Sequence, residues 1–340
     1  MNNLNAMRKY LFLSVLLLCY MQHAYTQKQS SFVPGEIWRD VDGNPINAHG
    51  GGVLYHEGIY YWYGEIKQGK TYRVSYVTSW EDCRVPAGGV SCYSSKDLLN
   101  WKYEGVALTP ELADSSHDLH TSKVIERPKV IYNKHTKKFV MWMHVDTEDY
   151  SYSQSGVAVS DRPEGPYTYL GSIKPHGNMA RDMTIFQDED GKAYHFFSSD
   201  TNATMHVCLL SEDYLTHTDQ DKPILVRQFR EAPAVFKYEG KYFLITSACT
   251  GWSSNAAAYA VADSPLGNWV QYDNPCVGRD AEITFDAQST FVLPIQGKPG
   301  NFIFMADRWN KTNLEDSRYL WLPLEMKGGK PRIYRKKQWR

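Results

Sequence analysis

The chain is 340 residues long, 14% aromatic with 24 Tyr and 10 Trp, and carries 37 basic against 38 acidic side chains, a net charge of -1. With no basic excess and no charge block, composition excludes a nucleic-acid surface built on bulk charge and an extended charged tail. The length admits one large domain or two small ones, and the aromatic load favours strands and suits stacking on flat ligands, sugars among them.

The first element is apolar. Arg8 and Lys9 precede a run from Tyr10 to Tyr20, and Ala24-Tyr25-Thr26 offers a small-residue cleavage point before Gln27. The run is too short to span a bilayer comfortably, so residues 1–26 read as a secretory signal peptide and the protein as secreted or periplasmic. Leu16-Leu17-Leu18-Cys19 suggests a lipid anchor only faintly, because the bulky Leu18 before the cysteine argues against it. Cys19 leaves with the signal, and the five remaining cysteines (Cys83, Cys92, Cys208, Cys249 and Cys276) require at least one free thiol. Cys83 and Cys92 are placed to bridge a local loop, although buried apolar thiols are the simpler expectation for most of the five.

Residues 27–340 repeat one pattern five times. Each unit has a turn, then an aromatic strand: Tyr55 to Glu65, Asn133 to Asp146, Gln187 to Asp200, Lys237 to Gly251 and Gln296 to Trp309. The first aromatics after the turns are Tyr60, Phe139, Tyr194, Tyr242 and Phe302. A further strand follows each hairpin, in Ser91–Trp101, Gly156–Tyr167, Val207–Leu215, Tyr259–Trp269 and Tyr319–Met326. Three to four short strands per unit of roughly 40–60 residues is the size of a propeller blade. Helical periodicity is scarce after the signal. The fold class expected is therefore all-β, a single-domain five-bladed β-propeller over 27–340, with a sandwich as the competing arrangement. The excess in the first unit, Gln68 to Gly89, reads as a loop over one face.

In a propeller the innermost strand of each blade begins near the central channel, so residues at one offset before each hairpin converge. Counting back 11 to 14 residues from the aromatics gives His49, Glu126, Asp182, Glu231 and Gln288. Three carboxylates in one pocket suit glycosidic hydrolysis, which needs an acid for the leaving oxygen and a base for water, and crowding raises their pKa. A single strand-end acid is more often just solvated; five polar residues in register are not explained that way. Trp252 and Trp309 follow the fourth and fifth hairpins, and Tyr150 and Tyr152 the second, where rings can stack on sugar or pack between blades. Arg127, Arg181 and Arg230 flank the acids and can bind sugar hydroxyls or orient the carboxylates. His49 can aid substrate binding or hold a central ion, a structural hydrogen bond being the more cautious reading. No metal or nucleotide motif appears, so no cofactor is expected and a structural cation in the channel is not indicated.

The residues then carry a family resemblance. Ile46–Glu65 (INAHGGGVLYHEGIYYWYGE), Ser91–Trp101, IERPKVIYN at Ile125–Asn133, Gly156–Tyr167, RDMTIF at Arg181–Phe186, Glu231–Trp252 and AQSTFVLP at Ala287–Pro294 together resemble glycoside hydrolase family 43, a five-bladed propeller family. The similarity is greatest to the branch of exo-β-1,3-galactanases and related arabinofuranosidases or galactofuranosidases. The resemblance implies that Glu231 is the general acid and that Asp182 tunes and orients it. The Asp that serves most of the family as base at the first blade entry is replaced here by His49 and glycines. The galactanase branch departs in the same way, with a residue matching Gln288 positioning water and one matching Glu126 holding substrate; Glu126 is the alternative base. The implied protein is an exo-acting, inverting hydrolase that trims galactose from β-1,3-galactan or arabinogalactan; separately, a monomer is the expected state. Two alternatives remain: an arabinofuranosidase or galactofuranosidase, and a non-catalytic carbohydrate-binding propeller that lost its base.

Overall fold

A computed structural model describes residues 28–74, 81 and 83–340. The signal peptide expected at 1–26 and part of the first unit's excess loop lie outside the described residues. Among those described, strands dominate and the helices are short 3-10 turns.

The strands form five sheets. The first holds β1 (His49–His56), β2 (Ile59–Lys67), β5 (Ala87–Ser95) and β6 (Lys102–Leu108), with a small ribbon of β3 (Tyr72–Arg73) and β4 (Cys83–Arg84) between β2 and β5. The second holds β7 (Val124–Asn133), β8 (Lys138–Asp146), β9 (Gln154–Ser160) and β10 (Thr168–Ile173). The third holds β11 (Met183–Gln187), β12 (Ala193–Ser199), β13 (Thr204–Leu210) and β14 (His217–Ile224). The fourth holds β15 (Arg230–Tyr238), β16 (Lys241–Ala248), β17 (Ala258–Ala262) and β18 (Val270–Tyr272). The fifth holds β20 (Gln288–Pro294), β21 (Phe302–Arg308), β22 (Arg318–Lys327) and β23 (Lys330–Tyr334), and β19 (Cys276–Val277) pairs parallel to its outer strand. Each sheet is an antiparallel meander, as short turns dictate. Glu239-Gly240 and Glu57-Gly58 both take the left-handed backbone that a two-residue hairpin needs.

The first strands close a ring: β1 touches β7, β7 touches β11, β11 touches β15, β15 touches β20 and β20 touches β1. This is the expected five-bladed propeller. Strand alternation sends apolar side chains to both sheet faces, and a separate core fills each gap between neighbouring blades. The gap between the fifth and first blades is the most aromatic, with Trp38, Trp62, Trp101, Tyr319 and Trp321 all buried. Among the described residues no strand is shared across this or any other gap. The ends of the chain meet at this one: Phe32 and Trp339 exchange backbone hydrogen bonds at 2.8 and 3.1 Å and stack at 4.2 Å. Trp62 contacts five rings, those of Trp38, Tyr93, Trp101, Tyr319 and Trp321. Replacing it by Ala is expected to cost about 3–5 kcal/mol of stability, read as a lowered denaturant midpoint.

The cysteine pairing is corrected. Cys83 and Cys92 are both free. Cys92 points into the core between the first two blades, while Cys83 lies on β4 beside Leu314 of the fifth blade. The intervening chain carries the two thiols to different places, so proximity in sequence does not translate into a bond.

Candidate active site

Blade entries are aimed by bulges. In β1, β7 and β15 the pairing register shifts just after His49, Glu126 and Glu231. In each case the next residue is left-handed: Gly50 (φ 61), Arg127 (φ 55) and Ala232 (φ 53). Two of the three are not glycine, and that strain is characteristic of sites where geometry has a use. At Ala232 the use is visible: the twisted backbone points its N–H at Asp182 Oδ2, 3.0 Å away.

The entries open into a cavity of about 240 Å³ whose walls include Glu126, Asp182, Glu231 and Gln288 with Tyr150, Arg181, Trp252 and Trp309. Glu231 sits at its centre. Asn202 Nδ2 donates to one carboxyl oxygen at 3.1 Å and Gln288 Nε2 to the other at 2.9 Å. Burial first, then the negative field of Asp182, pushes the Glu231 carboxyl up to about 8. Asp182 is held by Arg127 at 2.9 Å. The same guanidinium donates to Gln288 Oε1 at 2.6 Å and to the Ser289 carbonyl at 2.9 Å.

Gln288 is fully engaged. Its oxygen also accepts from Trp309 Nε1 at 3.0 Å, and its amide nitrogen also donates to Ser247 Oγ at 3.0 Å. Both acceptor and both donor positions are therefore occupied. From the second blade, Glu126 accepts from Tyr150 Oη at 2.9 Å and lies 3.3 Å from His144 Nδ1. Burial opposes ionisation of Glu126, but His144 and the charges of Lys67 and Arg84 outweigh it and hold the carboxyl well below its usual range. His144 is correspondingly raised to about 9: burial opposes its charge, and Asp146 and Glu126 overcome it.

Two expected site residues lie elsewhere. His49 is buried behind the pocket, stacked at 4.8 Å on Tyr319 and 3.8 Å from Asp307, so it supports the first blade entry rather than meeting a ligand. Tyr152 turns away to the core between the first two blades, its hydroxyl 3.3 Å from Ser172. The arginines also differ in role. Arg127 pairs with Asp182, whereas Arg181 donates to Ser153 and the Tyr150 carbonyl, and Arg230 to Thr246. Trp252 and Trp309 meet edge to face at 4.8 Å on the pocket wall.

Further lining groups were not anticipated from sequence: Glu65, Glu81, Arg84, His144, Asn202 and Cys249. Glu65 is the most informative. A side chain at Gly50 would meet Glu65 Oε1 at 2.4 Å. The first blade thus supplies a carboxylate from its second strand into the space beside an entry that carries only glycine. Burial first, against the pull of Lys67, raises Glu65 to about 7. A readable signal existed in the hairpin register, which pairs Glu65 with His49 and His144 with Glu126.

Glu126, His144 and Asp182 place donor atoms within 4.8 Å of one another. His144 also lies 2.9 Å from Asp146, and Asp182 faces the Arg127 guanidinium at 2.9 Å.

With fold and site described, the comparisons define the class. The model of glycosyl hydrolases family 43 matches residues 56–304, and the chain belongs to that family. Among solved structures it is similar to a family 43 β-1,3-galactosidase, at 40% identity and TM-score 0.84 over 92% of this chain and 63% of that one. It is likewise similar to an exo-β-1,3-galactanase from Phanerochaete chrysosporium solved with β-1,3-galactotriose, at 37% identity and TM-score 0.81 over 91% of this chain and 68% of that one. A curated relative is the β-D-galactofuranosidase of Aspergillus niger, 26% identical over 59% of this chain and 61% of that protein. The chain therefore spans less than two thirds of the first of these structures and of that curated relative.

Proposed function

We propose that the protein is an exported, exo-acting glycoside hydrolase that releases galactose from β-1,3-linked galactan with inversion at the anomeric carbon. The observation that carries the reading is Glu231: a carboxyl raised to about 8 in a pocket walled by Tyr150, Trp252 and Trp309. Near neutral pH such a group keeps its proton and can give it to the leaving glycosidic oxygen. Arg127 and Lys129, both buried on β7, fill the axis beneath, which favours a blind pocket for a chain end over an open cleft. The similarity to a β-1,3-galactosidase at 40% identity and to an exo-β-1,3-galactanase at 37% supports the sugar and linkage.

The proton balance is simple. Glu231 protonates the bridging oxygen as that bond breaks, and a water on the far ring face attacks the anomeric carbon and yields its proton to a base. An inverting pair needs room for sugar and water, about 6.5–9.5 Å between carboxyl groups. Gln288 donates to Glu231 at 2.9 Å, so that hydrogen bond opens before Gln288 can hold the water. Glu126, held ionised by His144, is the alternative acceptor. Gln288→Ala and Glu126→Gln are each expected to reduce turnover by about 10² or more. Near-normal rates in both variants would remove these residues from the reaction.

The deciding assay incubates the full chain with β-1,3-galactan, arabinogalactan and nitrophenyl glycosides and identifies the sugar and its first-formed anomer. The Aspergillus niger relative favours a second reading, in which the galactofuranoside is the better substrate. Binding without release, unchanged by Glu231→Gln, would leave a carbohydrate-binding propeller.

A further inference from the structure

Four aromatic rings among the described residues are more than a third exposed: Tyr55, Tyr103, Phe229 and Tyr272. Three of them rest on a neighbouring ring, Tyr55 on Tyr60, Tyr103 on Tyr93 and Tyr272 on Tyr259. Phe229 is the most exposed, at 56%, and meets no other ring among the described residues. It ends the turn Leu225 to Phe229, which carries the chain from β14 of the third blade into β15 of the fourth. Val226 in the same turn is 53% exposed, so two large apolar side chains face water within four residues. The turn has an unusual shape: Leu225, Arg227 and Phe229 all take the left-handed backbone, at φ 45, 57 and 52. Gln228 N–H closes it on the Leu225 carbonyl at 3.1 Å, and Phe229 N–H reaches the Ala203 carbonyl at 3.4 Å. Both ends of this residue lead to the site. Ala203 follows Asn202, which donates to Glu231, and Glu231 itself is two residues beyond Phe229. Two residues of chain span at most about 7 Å.

We propose that Phe229 is a binding residue for the leaving end of the substrate, its ring the platform for a sugar beyond the cleaved bond. This rests on the glycosidase reading and deepens it. Glu231 gives its proton to the bridging oxygen, so the leaving sugar begins against Glu231 and runs outward over the chain segments beside it. Those segments are the turn holding Asn202 in the third blade and the entry to β15 in the fourth. Galactose has a face for such a platform. Its one axial hydroxyl leaves the hydrogens of that carbon and of its two neighbours together on the opposite face, an apolar patch that a phenyl ring covers. Trp252 and Trp309 are committed elsewhere: their indole N–H groups donate to the Cys83 carbonyl and to Gln288, which fixes them as pocket wall. An apolar ring left in water is unfavourable in the free protein. Beside a proton donor, on a strained turn, it is the arrangement expected where a ligand covers the ring on binding.

The test compares Phe229→Ala, Phe229→Tyr and Phe229→Trp with wild type, in the full chain, on two substrates. β-Galactosyl fluoride has a leaving group of a single atom, whereas β-1,3-galactotriose has a leaving disaccharide. Phe229→Ala is expected to lower kcat/KM on galactotriose about tenfold, through KM, and to leave galactosyl fluoride unchanged, while the tyrosine and tryptophan variants restore the trisaccharide. Equal losses on both substrates would mark a structural residue and overturn the proposal, and so would no loss on either. A second measurement needs no turnover. Binding of galactan to Glu231→Gln is expected to weaken about tenfold when Phe229→Ala is added. If that weakening appears while wild type releases sugar from neither substrate, the platform stands and the hydrolase reading falls. If wild type cleaves both substrates but the binding is unchanged, the platform falls and the hydrolase reading stands. Sedimentation of wild type and Phe229→Ala tests the other occupant. A dimer lost with the ring, beside unchanged galactotriose kinetics, assigns this patch to a second copy of the chain and overturns the proposal.

Discussion

Glu231→Gln is expected to lower turnover on β-1,3-galactan by about 10³-fold or more while leaving the fold and ground-state binding intact. The amide keeps the size of the carboxyl and one of the two oxygens that accept from Asn202 and Gln288, but its N–H is not acidic enough to give a proton. The pH profile carries a second expectation. In the wild type the carboxyl rises from 4.5 to about 8 on folding, so activity is lost as pH climbs through that value. The sign for stability is the same: a raised carboxyl favours the folded state fully below pH 4.5, and that contribution fades as pH rises through about 8. Above pH 8 the wild type buries a charge that the glutamine variant lacks. Glu231→Gln should then melt higher than wild type at pH 9 and show no such advantage at pH 5. Equal melting at both values would mean that the carboxyl is not raised.

Arg127→Met is expected to be the most damaging single change in the axis. One buried guanidinium serves Asp182, Gln288 and the Ser289 carbonyl. Its removal leaves Asp182 with the Ala232 N–H as its remaining hydrogen bond and no counter-charge in contact. Breaking a buried pair from one side costs about 3–5 kcal/mol, read as a fall in the denaturant midpoint. Activity should fall with it, because Gln288 loses a donor and Asp182 loses what orients it. Arg127→Lys should rescue little, since a single ammonium cannot span three acceptors that a planar fork reaches together. A lysine variant with full activity and stability would show that charge alone is needed.

Much of this arrangement was legible before any coordinates. The five hairpins announced themselves through a turn and an aromatic strand, and the residues ahead of them do converge, Glu126, Asp182, Glu231 and Gln288 on one pocket. The failures have physical causes. His49 occupies the right offset, but Gly50 and Gly51 let the β1 backbone press against β2, where a side chain at Gly51 would overlap the Tyr63 carbonyl. The histidine is thereby set behind the pocket. Glu65 and His144 sit inside strands that otherwise read as buried and apolar; only the cross-hairpin register reveals them. Tyr152 lies elsewhere because Tyr150 and Ser153 are both left-handed, which turns the chain on either side of it. Asn202 sits in a turn of three consecutive left-handed residues, Asp200 to Asn202, a conformation that composition does not announce.

The join between the fifth and first blades has a thermal consequence. It is closed by indole and phenyl packing and by the Phe32–Trp339 backbone pair, whereas at each of the four other joins the chain itself runs from one blade into the next. Apolar association weakens as water cools, whereas a covalent crossing does not depend on that force. Chilling should therefore loosen this boundary before the four others, giving the ring a preferred place to part in the cold.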